Sequence, residues 1–343
     1  MMKQWKFLMA LLAAFALTAA ACGSDAEDVA EEEGSSEESS EGEAAPDGDA
    51  MMVALVAPSA SDDLAFTQSM VDSLERIGES RAIDLSVTDG TFNVDDAAAA
   101  IRQYAEEGNA VVVVHGTQFG GSLEEIAPDF PEVSFLWGTA LDTLGQPNVF
   151  AYAPAAEEGG YVLGTIAGVL SEGTIGIVGP VEAGDAVAYI NGFEQGATDT
   201  NADLTVNISY TGSFSDVALM TEAANSQIAA GADVLTGSSQ AVVGAVGVAD
   251  AEGIPWFGTQ SDQASLSASS VVASQIYRWD VVLEEMFANI DNGVLGGEAY
   301  LITLENGGLE IAYNSAYDLP AEATAAAEAA TAGIIDGSIT VAG

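Results

Sequence analysis

Short apolar runs alternate with segments of helical periodicity from residue 51 to the end of the chain. Residues 111–114 are four consecutive valines, a run typical of a strand buried on both faces of a parallel sheet. Residues 94–107 are rich in Ala and end at Gly108, which predicts a helix with its stop signal. The alternation of the two patterns predicts βα units with right-handed crossovers and parallel strands.

The alternation of strand-like and helix-like segments begins a second time near residue 159. This repetition predicts two doubly wound α/β lobes with a ligand cleft between them. The predicted strands are 52–56, 83–88, 111–114, 133–137, 149–152, 175–178, 205–210, 234–235, 256–257, 271–273, 300–304 and 309–313. The predicted helices are 64–77, 94–107, 122–127, 159–170, 188–198, 217–230, 242–251, 279–290 and 320–332. Asn306-Gly307 between the last two strands predicts a hairpin turn.

We expect the chain to cross between the two lobes more than once. We assign about 51–152 and 261–297 to the first lobe, and about 153–260 and 298–343 to the second. In open α/β sheets small ligands bind beyond the carboxyl ends of the strands. His115, Gln118 and Phe119 follow the valine strand directly and are therefore candidate ligand contacts.

The first 50 residues lack the alternation of strand-like and helix-like segments. Residues 1–21 combine Lys3 and Lys6, an apolar core and a run of small residues, a pattern typical of an export signal. The lone cysteine, Cys22, follows that run and resembles the lipidated cysteine of a bacterial lipobox; an ordinary secreted protein with a free thiol is the alternative. Residues 22–50 are rich in Asp, Glu, Ser and Gly, which predicts a disordered acidic tether. We therefore expect a lipid-anchored protein on the extracytoplasmic face of a bacterial membrane.

The charge balance excludes some partners. The chain has 53 acidic and 6 basic residues. Because nucleic-acid binding needs clustered Lys or Arg, a nucleic-acid partner is excluded. The sequence has no phosphate-binding P-loop, no dinucleotide fingerprint and no Gly-x-Ser-x-Gly elbow, and a single His and a single Cys cannot form the usual zinc sites. No cofactor and no metal are therefore expected, and an α/β hydrolytic enzyme using a Ser, His115 and Asp triad is a further alternative.

Four stretches of the chain resemble the basic membrane protein family, also called the PnrA-like substrate-binding lipoproteins of ABC importers. They are Asp62-Asp63-Leu64-Ala65-Phe66-Thr67-Gln68-Ser69, Glu157-Glu158-Gly159-Gly160-Tyr161-Val162-Leu163-Gly164, Tyr210-Thr211-Gly212-Ser213-Phe214-Ser215-Asp216 and Phe257-Gly258-Thr259-Gln260-Ser261-Asp262-Gln263. The order and spacing of these stretches make the resemblance specific. It implies a type I periplasmic-binding fold, and as partners a small polar solute together with the permease and ATPase of an importer.

The resemblance also implies site residues. Phe66 corresponds to a ring that stacks on a purine base, with Asp63 near it, and Phe214 or Asp216 approaches from the second lobe. The chain departs from the family at Gln260, where relatives have an acid, and at Tyr277, where a lysine is common. The remaining candidates form a neutral polar set with aromatics, suited to an uncharged solute such as a base or nucleoside: His115, Gln118, Trp137, Ser238, Ser239, Gln240 and Gln260.

Structural roles compete with each assignment. Asp63 and Asp216 each precede a predicted helix and are equally suited to capping it. The phenylalanines and Trp137 could be core residues, and His115 could satisfy local backbone. For Arg278 we favour an interlobe salt bridge over a ligand anchor. A co-receptor or sensor lipoprotein remains the alternative to an importer component.

Overall fold

The computed structural model describes residues 50–343; the predicted signal peptide and all but the last residue of the tether lie outside the described residues. The strands are β1 (Met51–Val56), β2 (Ile83–Thr88), β3 (Val111–His115), β4 (Ser134–Gly138), β5 (Val149–Pro154), β6 (Thr174–Gly179), β7 (Thr205–Tyr210), β8 (Val234–Gly237), β9 (Trp256–Gln260), β10 (Val271–Tyr277), β11 (Ala299–Ile302) and β12 (Leu309–Tyr313). The helices are α1 (Phe66–Ser80), α2 (Val94–Glu106), α3 (Gly120–Ile126), α4 (Ala156–Leu170), α5 (Gly184–Thr200), α6 (Val217–Ala229), α7 (Val243–Glu252), α8 (Asp280–Asp291) and α9 (Ala321–Ile335). None of the described helices is long and apolar enough to cross a bilayer.

The strands form two sheets. The first has the order β11-β5-β4-β3-β1-β2 and is parallel throughout, and the second has the order β12-β10-β9-β8-β6-β7. In the second sheet only β12 runs antiparallel, against β10. The predicted fold class, two doubly wound α/β lobes, is confirmed.

The valine strand β3 shows why the lobes are doubly wound. Val111 and Val113 belong to one hydrophobic cluster, whereas Val112 and Val114 belong to another. Because side chains alternate across a strand, the two clusters occupy opposite faces of the first sheet. All four valines are completely buried. An uninterrupted apolar run is therefore required here, and β3 ends where the chain turns toward the cleft.

The second lobe contains a close helix pair, α4 and α5. Gly160, Gly164 and Gly168 recur every four residues on α4 and face the backbone of α5. Gly192 and Gly196 of α5 face the backbone of α4 in the same way. A side chain at any of these positions would meet backbone or β-branched atoms of the partner helix, so glycine allows the two helices to approach closely.

The predicted hairpin is wrong. The turn forms, and Gly307 has the positive φ of 74° expected there. Its flanking strands nevertheless separate, since β11 pairs with β5 in the first sheet and β12 pairs with β10 in the second. The local signal describes the turn correctly, but strand pairing depends on distant partners that the turn does not specify.

The sheets also divide the chain differently from the predicted lobe boundaries. β10 lies within 261–297 yet pairs in the second sheet, and β11 lies within 298–343 yet pairs in the first. α8 packs against α1 and β11 of the first lobe, and α4 packs against α5 and β10 of the second. The chain therefore crosses between the lobes after β5, after β10 and after β11.

Candidate ligand-binding site

A cleft of about 410 Å³ lies between the carboxyl ends of the two sheets. Its volume falls within the range of roughly 300–1,000 Å³ that is typical of small-molecule sites. We call it the interlobe cleft. The residues that line it are Pro58, Phe66, Phe92, Val94, Gly116, Thr117, Gln118 and Thr139 from the first lobe, and Ala183, Gly184, Asp185, Ala186, Phe214, Ser238, Ser239, Gln240 and Gln260 from the second.

Seven of the predicted site residues line this cleft: Phe66, Gln118, Phe214, Ser238, Ser239, Gln240 and Gln260. The Ser239 hydroxyl donates to the carbonyl of Phe214 at 2.7 Å. That bond fixes the loop that carries the Phe214 ring, which is half-buried. Phe66, at the first turn of α1, is only 5% exposed. Each lobe thus contributes an aromatic ring to one cleft.

His115 lies behind Phe66 and does not line the cleft. The two rings stack with centroids 3.9 Å apart and an interplanar angle of 13°. The imidazole Nε2 lies 3.1 Å from the carbonyl oxygen of Phe66, and Nδ1 lies 2.8 Å from the Tyr152 hydroxyl. Because a carbonyl only accepts, Nε2 carries the proton and Nδ1 accepts from Tyr152. Burial lowers the pKa of His115 to about 3, so the ring is a neutral support for Phe66.

Asp63 and Asp216 serve as helix caps. The carboxylate of Asp63 accepts from the backbone N–H groups of Ala65, Thr67 and Gln68 at the start of α1, and from the Ser59 hydroxyl at 2.6 Å. Burial raises the pKa of Asp63, and these hydrogen bonds oppose the rise. Asp216 accepts from the first N–H groups of α6 and lies outside the cleft lining. Capping, the structural alternative offered by the sequence, is therefore the role that the structure shows for both residues. An acid just before a helix accepts hydrogen bonds from the free N–H groups of its first turn.

Phe119 and Trp137 belong to the hydrophobic core of the first lobe and not to the cleft lining. Phe119 is completely buried and Trp137 is 7% exposed. The Trp137 indole donates to the carbonyl of Gly116 at 3.1 Å and packs over Gly120. Both rings therefore shape the loop after β3 from behind. Phe119 follows the buried strand β3, and Trp137 lies near the end of the buried strand β4. Core packing therefore accounts for both residues.

The sequence reasoning missed Asp185, the one carboxylate in the described lining of the cleft. Its oxygen lies 3.3 Å from Gln260 Nε2 and 3.2 Å from the Tyr277 hydroxyl, and both groups donate to it. Burial raises the pKa of Asp185, and the Gln260 and Tyr277 hydrogen bonds oppose the rise. The predicted helix begins at Ala188, whereas α5 begins at Gly184. The sequence signal that could have identified Asp185 is a glycine followed by an acid, Gly184-Asp185, shortly after strand β6.

Two amide oxygens of the second lobe lack a hydrogen-bond partner within residues 50–343: Oε1 of Gln240 and Oε1 of Gln260. Gln260 is 4% exposed and has a positive φ of 76°, a backbone conformation that non-glycine residues seldom adopt. Buried polar atoms are nearly always paired in native proteins. An unpaired acceptor in a cleft wall is therefore suited to a hydrogen-bond donor on a ligand.

No basic side chain appears in the described lining of the cleft. Arg76 and Arg278 both pair with Asp280, and Arg278 also reaches Glu310 of β12. The favoured structural role of Arg278 is thus confirmed, since its partners lie on α8 of the first lobe and on a strand of the second. Arg81 pairs with Asp291 and Arg102 with Asp129. The arginines of residues 50–343 are therefore engaged outside the cleft.

Within residues 50–343 the structure supports neither a metal site nor the catalytic triad considered from the sequence. Within residues 50–343, no three His, Cys, Asp or Glu side chains are grouped so that they could hold a metal ion. The triad considered from the sequence would need His115 as a base in the cleft. Both nitrogens of that ring are engaged away from the cleft, so the triad has no geometric support.

Comparison with known proteins gives consistent matches. The family described as "ABC transporter substrate-binding protein PnrA-like" matches residues 50–332. A purine-binding protein from Brucella abortus is 27% identical over 213 residues, which are 62% of this chain and 59% of that protein. The chain thus matches less than two thirds of the length of this relative. The transcriptional activator protein med of Bacillus subtilis is 22% identical over 76% of this chain and 81% of its own length.

Among solved structures, an ABC transporter solute-binding protein from Conexibacter woesei is similar to this chain with a TM-score of 0.72. The superposition covers 85% of this chain and 99% of that protein at 24% sequence identity. At this identity the similarity shows a shared fold. The two-lobed architecture is therefore the fold of that solute-binding protein.

Proposed function

The chain belongs to the PnrA-like family of ABC transporter substrate-binding proteins, and we propose that its interlobe cleft binds a purine nucleoside or the corresponding base. One observation carries this proposal: Phe66 of the first lobe and Phe214 of the second line a single cleft whose other groups are mostly neutral and polar. Aromatic side chains provide stacking surfaces for a planar base. The name of the Brucella relative, a purine-binding protein, supports the same ligand class.

The polar groups of the cleft suit such a ligand. Thr117 and Gln118 follow β3, and Ser238 and Gln240 follow β8, so hydrogen-bonding groups face the ligand from both sheets. The unpaired Oε1 atom of Gln260 is an acceptor for an amino or hydroxyl group of the ligand. A ligand that satisfies groups of both lobes binds more tightly when the lobes are close together.

Hinge closure is the mechanism we propose for transport. Three crossings of the chain connect the lobes, and the ligand stabilises the closed form by contacts that only that form makes with both sides. The permease of an ABC importer, driven by its ATPase subunits, then recognises the closed form and receives the solute. The Arg278 ion pairs lie at one crossing and tie α8 to β12.

We propose that a lipid on Cys22 anchors the mature protein to the extracytoplasmic face of the membrane, with residues 22–50 as a tether. Cells expressing the Cys22→Ser variant should release the protein into the soluble fraction, whereas the unchanged protein should partition into detergent. Metabolic labelling with palmitate should mark only the unchanged protein. Equal partitioning of the two proteins would contradict the anchor.

The ligand proposal is tested with the domain from residue 50, offered a panel of nucleosides, bases and sugars in a thermal-shift assay. A ligand at about 100 times its Kd should add roughly 2.7 kcal/mol to the free energy of unfolding, which gives a clear rise in Tm. A purine nucleoside should produce that rise, and small-angle scattering should show a smaller radius of gyration in its presence. A rise with sugars alone would refute the nucleoside proposal, and an unchanged radius with a bound ligand would refute hinge closure.

A ligand sensor is the second candidate, and the Bacillus subtilis relative named as a transcriptional activator favours it. The same cleft would then report ligand occupancy to a partner other than a permease. Deleting the gene distinguishes the two functions. Loss of uptake of the labelled ligand supports the importer component, whereas intact uptake with a lost transcriptional response supports the sensor.

A further inference from the structure

Asp185 occupies a position where an α/β protein can bind an anion. It lies in the first turn of α5, the helix that follows β6 and points its N-terminus at the interlobe cleft. Free backbone N–H groups and the helix dipole make such an N-terminus attractive to phosphate or carboxylate. Here the backbone N–H groups of Asp185 and Ala186 help to oppose the rise that burial causes in the pKa of the Asp185 carboxyl. The chain thus fills this anion position with its own charge.

The surroundings leave that charge without a counter-ion. Within the described residues, Asp185 has hydrogen bonds from Gln260 and Tyr277, both neutral donors, and no arginine reaches the cleft. Burial raises the pKa of the Tyr277 hydroxyl well above its usual value, so this group donates and does not ionise. An anion entering the cleft would meet an uncompensated negative charge, whereas a cation or a strong donor would meet an acceptor.

Gln260 extends this preference. Its Nε2 group faces the Asp185 carboxylate, and turning the amide over would place two acceptor oxygens against each other. The amide orientation is therefore fixed by Asp185, and Oε1 remains an acceptor in the cleft wall without a partner among residues 50–343. The side chain is 96% removed from solvent, so a ligand donor is the available way to satisfy that atom.

We propose that Asp185, with Gln260 oriented by it, is the charge-selecting element of the cleft: it rejects anionic forms of a solute and favours forms that present hydrogen-bond donors, cationic forms most. The proposal deepens the solute-binding function and rests on it. For a nucleoside it means that the phosphorylated form is refused. It assigns a specificity role to a residue outside the four stretches that carry the family resemblance.

The test uses two matched ligand series and three proteins. The first series is adenosine, adenosine 5′-monophosphate and 5′-amino-5′-deoxyadenosine, and the second is glucose, glucuronate and glucosamine. The proteins are the unchanged chain, Asp185→Asn and the control Glu182→Gln. Glu182 is an exposed acid on the same loop that does not line the cleft, so the control removes one charge without changing the site. Calorimetry gives Kd, and circular dichroism checks that each variant is folded.

The unchanged chain should bind the anionic member at least about tenfold more weakly than its neutral parent, because a like charge a few Å from a carboxylate has about this effect. Asp185→Asn should reduce that discrimination about tenfold or more and remove the preference for the amine, whereas Glu182→Gln should change neither. Adenosine binding with unaltered ratios in Asp185→Asn overturns this inference and leaves the nucleoside proposal standing. If the sugar series shows the predicted ratios and no nucleoside binds, this inference stands and the nucleoside proposal is overturned. No binding of either series overturns both.

Discussion

Replacing Phe214 with alanine should weaken the binding of a purine nucleoside by about 5- to 150-fold. The ring lines the cleft from the second lobe, and stacking of a base on an aromatic side chain contributes about 1–3 kcal/mol. Phe214 is half-buried on the loop before α6, so its removal should cost little stability. Phe66 is a poorer test, because it is buried and stacks on His115, and its loss would disturb the core.

Two further variants separate stacking from general loss of apolar surface. Phe214→Leu keeps an apolar side chain without a ring and should show most of the loss, whereas Phe214→Tyr should bind almost normally. Tyr313→Ala removes an exposed aromatic ring of the second lobe outside the cleft and should have no effect on Kd. Unchanged affinity in Phe214→Ala would show that this ring does not hold the ligand.

Acid should destabilise the protein through His115, by up to about 5 kcal/mol between pH 6.5 and pH 3. In the folded chain burial lowers the pKa of this histidine to about 3, whereas an unfolded chain has a value near 6.5. The unfolded state therefore takes up the proton first as the pH falls. The stabilisation is complete above pH 6.5 and is lost at about 1.4 kcal/mol per pH unit as the pH falls toward 3.

The measurement compares denaturant unfolding of the unchanged chain and of His115→Gln at several pH values. The variant should lack the His115 contribution to the slope, and carboxylates such as Asp63 are common to both proteins and cancel. The chain has one histidine, so its proton NMR signals need no variant for their assignment. A native-state signal that titrates near pH 6.5 would contradict a buried neutral ring, and a signal constant down to about pH 4 would agree with it.

Local patterns determined the elements of this protein to within a few residues. β2 and β7 begin and end where the alternation of apolar and polar residues predicts, and β3 extends the valine run by one residue. Helix starts were less accurate, as at α5, which begins at Gly184, four residues before the predicted start, because glycine is a weak helix former and gives no local signal for a helix start. The fold class followed from the elements, because repeated βα units have few compact arrangements.

The site was partly readable for the same reason. Ligands of α/β proteins bind beyond the strand ends, so residues that follow strands, such as Gln118, Phe214 and Gln240, could be named from the sequence. The sequence could not show which of the residues near strand ends line the cleft and which pack behind the cleft residues. His115 and Phe66 both adjoin strand or helix ends, and only their stacking in space shows that one ring faces the cleft and the other supports it.

The sequence by itself determined the secondary structure, the two-lobed class and the family, because these depend on local periodicity and on motifs of contiguous residues. Only the tertiary structure decided that β10 belongs to the second sheet, that the last two strands part, and that Asp185 meets Gln260 and Tyr277 across 75 and 92 residues of chain. Strand pairing and side-chain contacts between distant segments are set by the packing of the whole chain. Local patterns carry no record of which distant partner is chosen.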